Sequence, residues 1–453
     1  MGMKSAPDSN ALHTLGARAL REGYAAGSFS PVEVAQAVLA RMARWEPHLH
    51  ATWLLRPERA LAEARASEAR WRRGAPLSPL DGVPLTLKDN IATQGDATPL
   101  GTAAVELTPA AADAPPAARL REAGAVLVSK TTMPDYGMLS SGLSSFHALA
   151  RNPWDLRKGP GGSSAGAGAA AAAGYGPLHV GTDIGGSIRL PAGWCGVFGL
   201  KPSLGRIPID PPYTGRAAGP MTRTVQDAAL MMQVLSAPDA RDSMSLPAQP
   251  IAWERFGQGT GRLRGLRIGL LLDAGCGLPV DPQVRAAVEA AARLFEQAGA
   301  AVEPMPPFLT RHMLDGMDRF WRMRSFMDLR TLTPGQQGKV LPFIRDWAMS
   351  AAGLDGPQVF EASQQFHATR VATAHACAPF DYVLSPVAPM PAFAAGLPAP
   401  TDDPLRPLEH IAFTVPFNMS EQPAASVNCG YTGGGLPIGL QIARRRFDDL
   451  GVL

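Results

Sequence analysis

From Leu77 onward the chain breaks into short, continuous apolar runs separated by Gly and Pro: VPLTL at 83–87, AVLVS at 125–129, PLHVG at 177–181, RIGLLL at 267–272, DYVLS at 381–385 and PIGLQIA at 437–443. Apolar runs of this length without polar alternation predict strands covered on both faces. Residues 10–75 have a different texture. They read as helices, with Ser30, Pro31 and Glu33 supplying a cap, a first-turn proline and a capping-box acid ahead of Val34, Val38 and Leu39. A strongly periodic helix is predicted over 281–298, and AGAGAAAAAG at 165–174 reads as a tightly packed helix starting from a Gly-rich turn. Strands alternating with helices predict an α/β fold: a single large domain with a long twisted mixed β-sheet flanked by α-helices, in which residues 1–75 form an N-terminal helical flank.

Two stretches dense in Pro and Gly, 202–220 and 388–408, read as loops. The first is expected beside a site and the second as a surface connection. No repeat of fixed period interrupts this order.

Composition narrows the functional classes. With 453 residues, 46% hydrophobic and 18% charged, the chain can bury a large core. A net charge of +3, with no basic run beyond Arg444, Arg445 and Arg446, argues against a nucleic-acid footprint. Arginine dominates the 42 basic residues, since only Lys4, Lys88, Lys130, Lys158, Lys201 and Lys339 are lysines. A lysine inside an apolar run therefore raises the question of whether a removable proton is needed there. Four cysteines without CxxC spacing read as thiols of a reducing compartment. The first residues lack the apolar core of a signal peptide, and no apolar run reaches membrane-spanning length, so the expectation is cytoplasmic residence.

Candidate chemistry concentrates in residues 159–206, where glycines and hydroxyls are far denser than strands or helices require. In GTDIGGS, Gly185 and Gly186 strip side chains from the backbone just before Ser187, freeing N–H groups to converge on an oxygen beside its hydroxyl. An oxyanion hole needs that arrangement, each donor being worth about 3 kcal/mol in a transition state. The heptapeptide alone fits a ligand-free tight turn equally well. Histidine is the usual base for a serine, but His48, His50, His179, His312, His367 and His375 fall in helices or an apolar strand, and no GxSxG is present. Lysine can serve only when neutral, which burial can achieve. Lys88 ends the run VPLTL, although a surface ion pair with Asp89 is the more common fate of such a residue. Ser163 and Ser164 in GGSS could bridge a lysine to a distant nucleophile.

Together, PLDGVPLTLKDN, PGGSSAGAG and GTDIGGSIRLPAGWCGVFGLKPSLGR resemble the amidase-signature family of serine hydrolases. PMTRTVQDAA at 220–229, YVLSPVAPMP at 382–391 and FNMSEQPAASVNCG at 417–430 extend the resemblance over nearly the whole chain. Three separated motifs in order are far more specific than any single one. The resemblance implies that 76–453 form an amidase catalytic domain. It also implies that Lys88 is the base, Ser163 a relay serine following a cis peptide bond, Ser187 the acylated nucleophile, and the amides of Ile184, Gly185, Gly186 and Ser187 the oxyanion hole. Backbone around Gly137 and Met138 is expected to bind the acyl group, with Phe320, Trp321, Phe326 and Trp347 as further aromatic candidates. Asp183 and Arg189 are expected to be structural partners. Ala165 departs from the family's GGSSGG, a small replacement expected to keep the turn while leaving room for it to narrow. The expected partners are a small-molecule amide and, at most, a second copy of the chain, with no nucleic acid or membrane. Neither cofactor nor metal is implied: Gly166, Gly168 and Ala171 meet a loose dinucleotide pattern but follow no hydrophobic strand. The expected activity is amide hydrolysis. The alternatives are the A-type, glutaminase component of a tRNA-dependent amidotransferase, ranked second because GTDIGGSIRLP departs from SDTGGSIRQP, and a noncatalytic binding protein on the same fold.

Overall fold

The computed structural model describes residues 9–255, 257 and 263–453. Their strands are β1 (Thr52–Leu55), β2 (Pro84–Lys88), β3 (Val126–Thr131), β4 (Leu178–Asp183), β5 (Phe198–Lys201), β6 (Ala217–Thr222), β7 (Arg267–Leu270), β8 (Ala301–Pro304), β9 (Tyr382–Pro386), β10 (Ala424–Tyr431) and β11 (Pro437–Arg444). They form one mixed sheet in the order β1-β3-β2-β4-β6-β5-β10-β11-β9-β7-β8. Parallel pairing joins β3, β2 and β4 near one edge and β9, β7 and β8 at the other, while the middle is antiparallel. The six apolar runs all become strands of this sheet.

Three expectations change. The segment 10–75 is not purely helical, because β1 within it pairs antiparallel with β3 and edges the sheet. Part of the 202–220 loop is β6, which pairs with both β4 and β5. The 388–408 segment is no surface connection, since Ala388, Ala392 and Phe393 enter the core, and Pro389 and Met390 accept hydrogen bonds from Asp281 N–H and the Trp194 indole. Its Pro and Gly content reports an irregular path, and an irregular path can be buried when its carbonyls find donors.

The Ser30 capping box forms as expected, the side chain accepting from Glu33 N–H and Glu33 accepting from Ser30 N–H. The alanine-rich helix spans Ala165–Ala173, with all but Ala172 buried. A Cβ on its Gly166 would come within 2.0 Å of the Ala51 carbonyl, so the small residues serve close packing. Ala165 is the first residue of the helix and is buried. This helix begins directly after Ser163 and Ser164, and so fixes both serines against the ends of β2 and β4.

Candidate active site

Lys88 is the last residue of β2 and is fully buried. Its Nζ donates to Ser163 Oγ at 2.8 Å and to Thr182 Oγ1 at 3.0 Å. Burial pulls its ammonium down to about 7; Asp183 and Asp89 oppose that fall, and Arg216 adds to it. The surface pair with Asp89 does not form. Asp89 instead accepts from Leu100 and Gly101 N–H and lies 2.8 Å from His147 Nε2.

The Gly162–Ser163 peptide is cis. Ser164 ties this turn to the Ser187 segment, its N–H donating to the Ser187 carbonyl at 3.1 Å and its hydroxyl bonding the backbone of Thr182. Gly137 sits against the same turn, a Cβ there meeting Ser163 Oγ at 3.2 Å.

Ser187 is 9% exposed, at the end of a loop leaving β4. Asp183 organises that loop by accepting from the N–H groups of Gly186 at 2.7 Å and Ile188 at 3.1 Å. Arg189 closes on the same carboxylate at 2.9 Å, and both side chains are fully buried, as expected of structural partners. Burial by itself would raise the Asp183 carboxyl, but Arg189 and Asn418 hold it well below the usual carboxylate range. Asn418 and Gln441, both far along the sequence, accept from Arg189 at 2.6 Å each. Gly186 has φ 125°, and a Cβ there would lie 2.6 Å from Thr414 Oγ1, so only glycine fits. Thr414 Oγ1 donates to the Gly185 carbonyl at 2.6 Å.

This geometry divides the four expected oxyanion donors. The Gly186 amide is committed to Asp183. The amides of Ile184, Gly185 and Ser187 have no acceptor among the described residues. A cavity beside Ser187 is lined by Gly137, Met138, Ile184, Trp321, Arg324 and Ile411, among others. Gly137 and Met138 thus reach the site. Of the four aromatic candidates only Trp321 does: Phe320 packs on Phe366, Phe326 lies beneath Arg330, and Trp347 is buried with its indole donating to Asp318. Among the described residues no group of three or more His, Cys, Asp or Glu side chains could hold a metal ion.

Sequence reasoning did not find Thr182, Thr414, Asn418, Gln441 or Arg324. Asn418 lies in FNMSEQ, which the resemblance had already marked. Arg324 carried no signal beyond its spacing of three from Trp321 on one helix.

A buried amine against one hydroxyl, a second serine tethered to that turn and three free amides make an arrangement suited to serine acylation. The chain is similar to the A-type component of glutamyl-tRNA(Gln) amidotransferase from Myxococcus xanthus (37% identical, 95% of this chain and 93% of the relative) and from Symbiobacterium thermophilum (33% identical, 97% and 95%). It is also similar in structure to a bacterial aryl acylamidase of the amidase-signature family (TM-score 0.89, 29% identity, 97% of this chain and 94% of that one). The corresponding component of the Thermotoga maritima amidotransferase superposes with TM-score 0.76 at 26% identity, covering 97% and 93%. The model of the amidase family matches residues 33–453, and with these likenesses in sequence, fold and motif order the chain belongs to the amidase-signature family.

Proposed function

We propose that this chain is an amidase that hydrolyses a carboxamide to a carboxylate and ammonia or an amine through a Ser187 acyl-enzyme. Neutral Lys88 takes the Ser163 proton while Ser163 takes the Ser187 proton, and Ser187 Oγ attacks the carbonyl carbon. The amides of Ile184, Gly185 and Ser187 hold the oxyanion. As the C–N bond breaks, the relay returns the proton to the departing nitrogen. Water then attacks the ester along the same route, giving up a proton to the relay, and the carboxylate leaves as Ser187 regains its hydrogen. The observation that carries this reading is the buried Lys88 Nζ, 2.8 Å from a serine hydroxyl and with no carboxylate partner among the described residues. Fluorophosphonate labelling of Ser187, with ammonia release measured over an amide panel, tests it. Absence of both labelling and release would end it.

The relatives named as amidotransferase components favour a second reading, in which the chain is the glutaminase of a larger complex. The cavity argues against it: among the described residues its single charged side chain is Arg324, and no acid lines it to hold glutamine's α-ammonium. Glutamine hydrolysis and co-purification with a B-type component would reverse the order. A noncatalytic binding protein on this fold is disfavoured by the intact Lys88, Ser163 and Ser187, and labelling distinguishes it as well.

A further inference from the structure

Arg324 stands three residues beyond Trp321 on the helix Arg311–Leu329, and both side chains line the cavity beside Ser187. Its Nη2 donates to Met138 Sδ at 3.1 Å, and its guanidinium lies 5.0 Å from the Tyr213 ring. Its Nε is buried with no hydrogen-bond partner among the described residues. Among the described residues no carboxylate lies within ion-pair distance of it; Asp328, one turn further along the helix, feels its charge without pairing. Arg216 shares the other side of the picture, its guanidinium 5.9 Å from the same Tyr213 ring and likewise without a carboxylate partner among the described residues. A thioether and an aromatic ring are weak partners for a partly buried guanidinium. Arg216 donates to the Pro211 carbonyl and feels Asp242 at longer range, so of the two cations it is Arg324 whose donors are left facing the cavity without an oxygen acceptor among the described residues.

We propose that Arg324 binds an anionic carboxylate of the substrate, so that the preferred substrates are monoamides of short dicarboxylic acids. The proposal rests on the reading that this cavity receives the acyl group. One end of such a molecule offers the carboxamide to Ser187 and the other offers two oxygens to a planar, forked donor. Neighbouring Met138, Ile184 and Ile411 suit the methylenes between. Glutaramate fits this lining better than glutamine, whose added ammonium would meet Arg324's charge and no acid.

The test uses the full chain with Ser187→Ala, so that binding is read without turnover, titrated calorimetrically with glutaramate, succinamate, glutamine and neutral pentanamide. Glutaramate or succinamate should bind about ten- to hundredfold more tightly than pentanamide, the range of a charge-assisted hydrogen bond. Arg324→Gln should collapse that ratio and Arg324→Lys should keep part of it. In the active enzyme the same collapse should appear in the ratio of kcat/KM values. Equal binding of charged and neutral amides, an unchanged ratio in Arg324→Gln, or preference for glutamine over glutaramate would each overturn the proposal. Fluorophosphonate labelling of the wild-type chain separates the two readings. Labelled Ser187 without carboxylate preference sinks the Arg324 assignment alone, whereas carboxylate-dependent binding without labelling or ammonia release sinks the amidase reading and leaves Arg324 as a binding residue.

Discussion

The backbone N–H of Ser164 donates to the carbonyl of Ser187 at 3.1 Å, so the turn that carries Ser163 and the loop that carries Ser187 are hydrogen-bonded to each other. One precedes the alanine-rich helix and the other follows β4, and a shift in either would change the spacing of the Ser163 and Ser187 hydroxyls. That bond ties the two segments together, so substitutions at the two hydroxyls leave the backbone link between them in place.

Ser187→Ala should lower kcat by about four orders of magnitude or more, the scale on which a lost nucleophile acts, with the fold retained. Mass spectrometry of a trapped acyl-enzyme should find the adduct on the peptide containing Ser187. An adduct on Ser163 or Cys195 would require the roles to be reassigned.

Lys88→Arg should be as inactive as Lys88→Ala, because a guanidinium cannot give up its proton to become a base. The wild-type pH profile carries the sign. A lysine pulled down to about 7 is neutral above that pH and protonated below it, so kcat/KM should fall about tenfold per pH unit on the acid side. An active Lys88→Arg enzyme, or an acid limb that persists in it, would return Lys88 to a structural role.

Much of this was legible beforehand because chemistry and strand ends coincide. The motifs around Lys88, Ser163 and Ser187 sit where β2 ends, the alanine-rich helix begins and β4 ends, and the continuous apolar runs marked the covered strands. Other strands hid for physical reasons. AAGPMT of β6 carries Gly219 and Pro220, residues that weaken a central strand, but β5 pairs only with Met221 and Thr222, so Pro220 interrupts no ladder on that side. Gly219 is needed there, since a Cβ would fall 2.0 Å from the Leu200 carbonyl. Of the four-residue strands, β7 showed because its apolar run continues to Leu272, whereas β1, β5 and β8 are too short to show a period. Arg324 was invisible because its meaning lies in what surrounds it across the fold, which no local pattern encodes.

Asp183→Asn should destabilise the chain by about 3–5 kcal/mol, because Arg189 would be left as an unpaired buried charge. Urea denaturation measures this, and a loss under about 1 kcal/mol would contradict the clamp. Since the Asp183 carboxyl is held below its usual range, its contribution is intact at neutral pH and fades only as the solution becomes more acidic than about pH 4.

Met138→Ala should change the ranking of acyl groups by about ten- to hundredfold in relative kcat/KM, a pocket-scale effect. Short and bulky amides compared side by side provide the measurement. An unaltered ranking would remove Met138 from the substrate's path.

The hairpin of β10 and β11 follows every other strand in sequence, yet it lies in the interior of the sheet, between β5 and β9. A ribosome therefore releases both flanking blocks before the strands that join them exist. Until that hairpin inserts, β5 and β9 each present an open edge, the kind of surface that nascent chains mispair through. Arg189 also waits, because Asn418 and Gln441 are synthesised with the same late segment. Completion of the loop around Ser187 is thus coupled to the arrival of the hairpin, and a nascent chain that has not reached it lacks the Asn418 and Gln441 acceptors that complete the shell around Arg189.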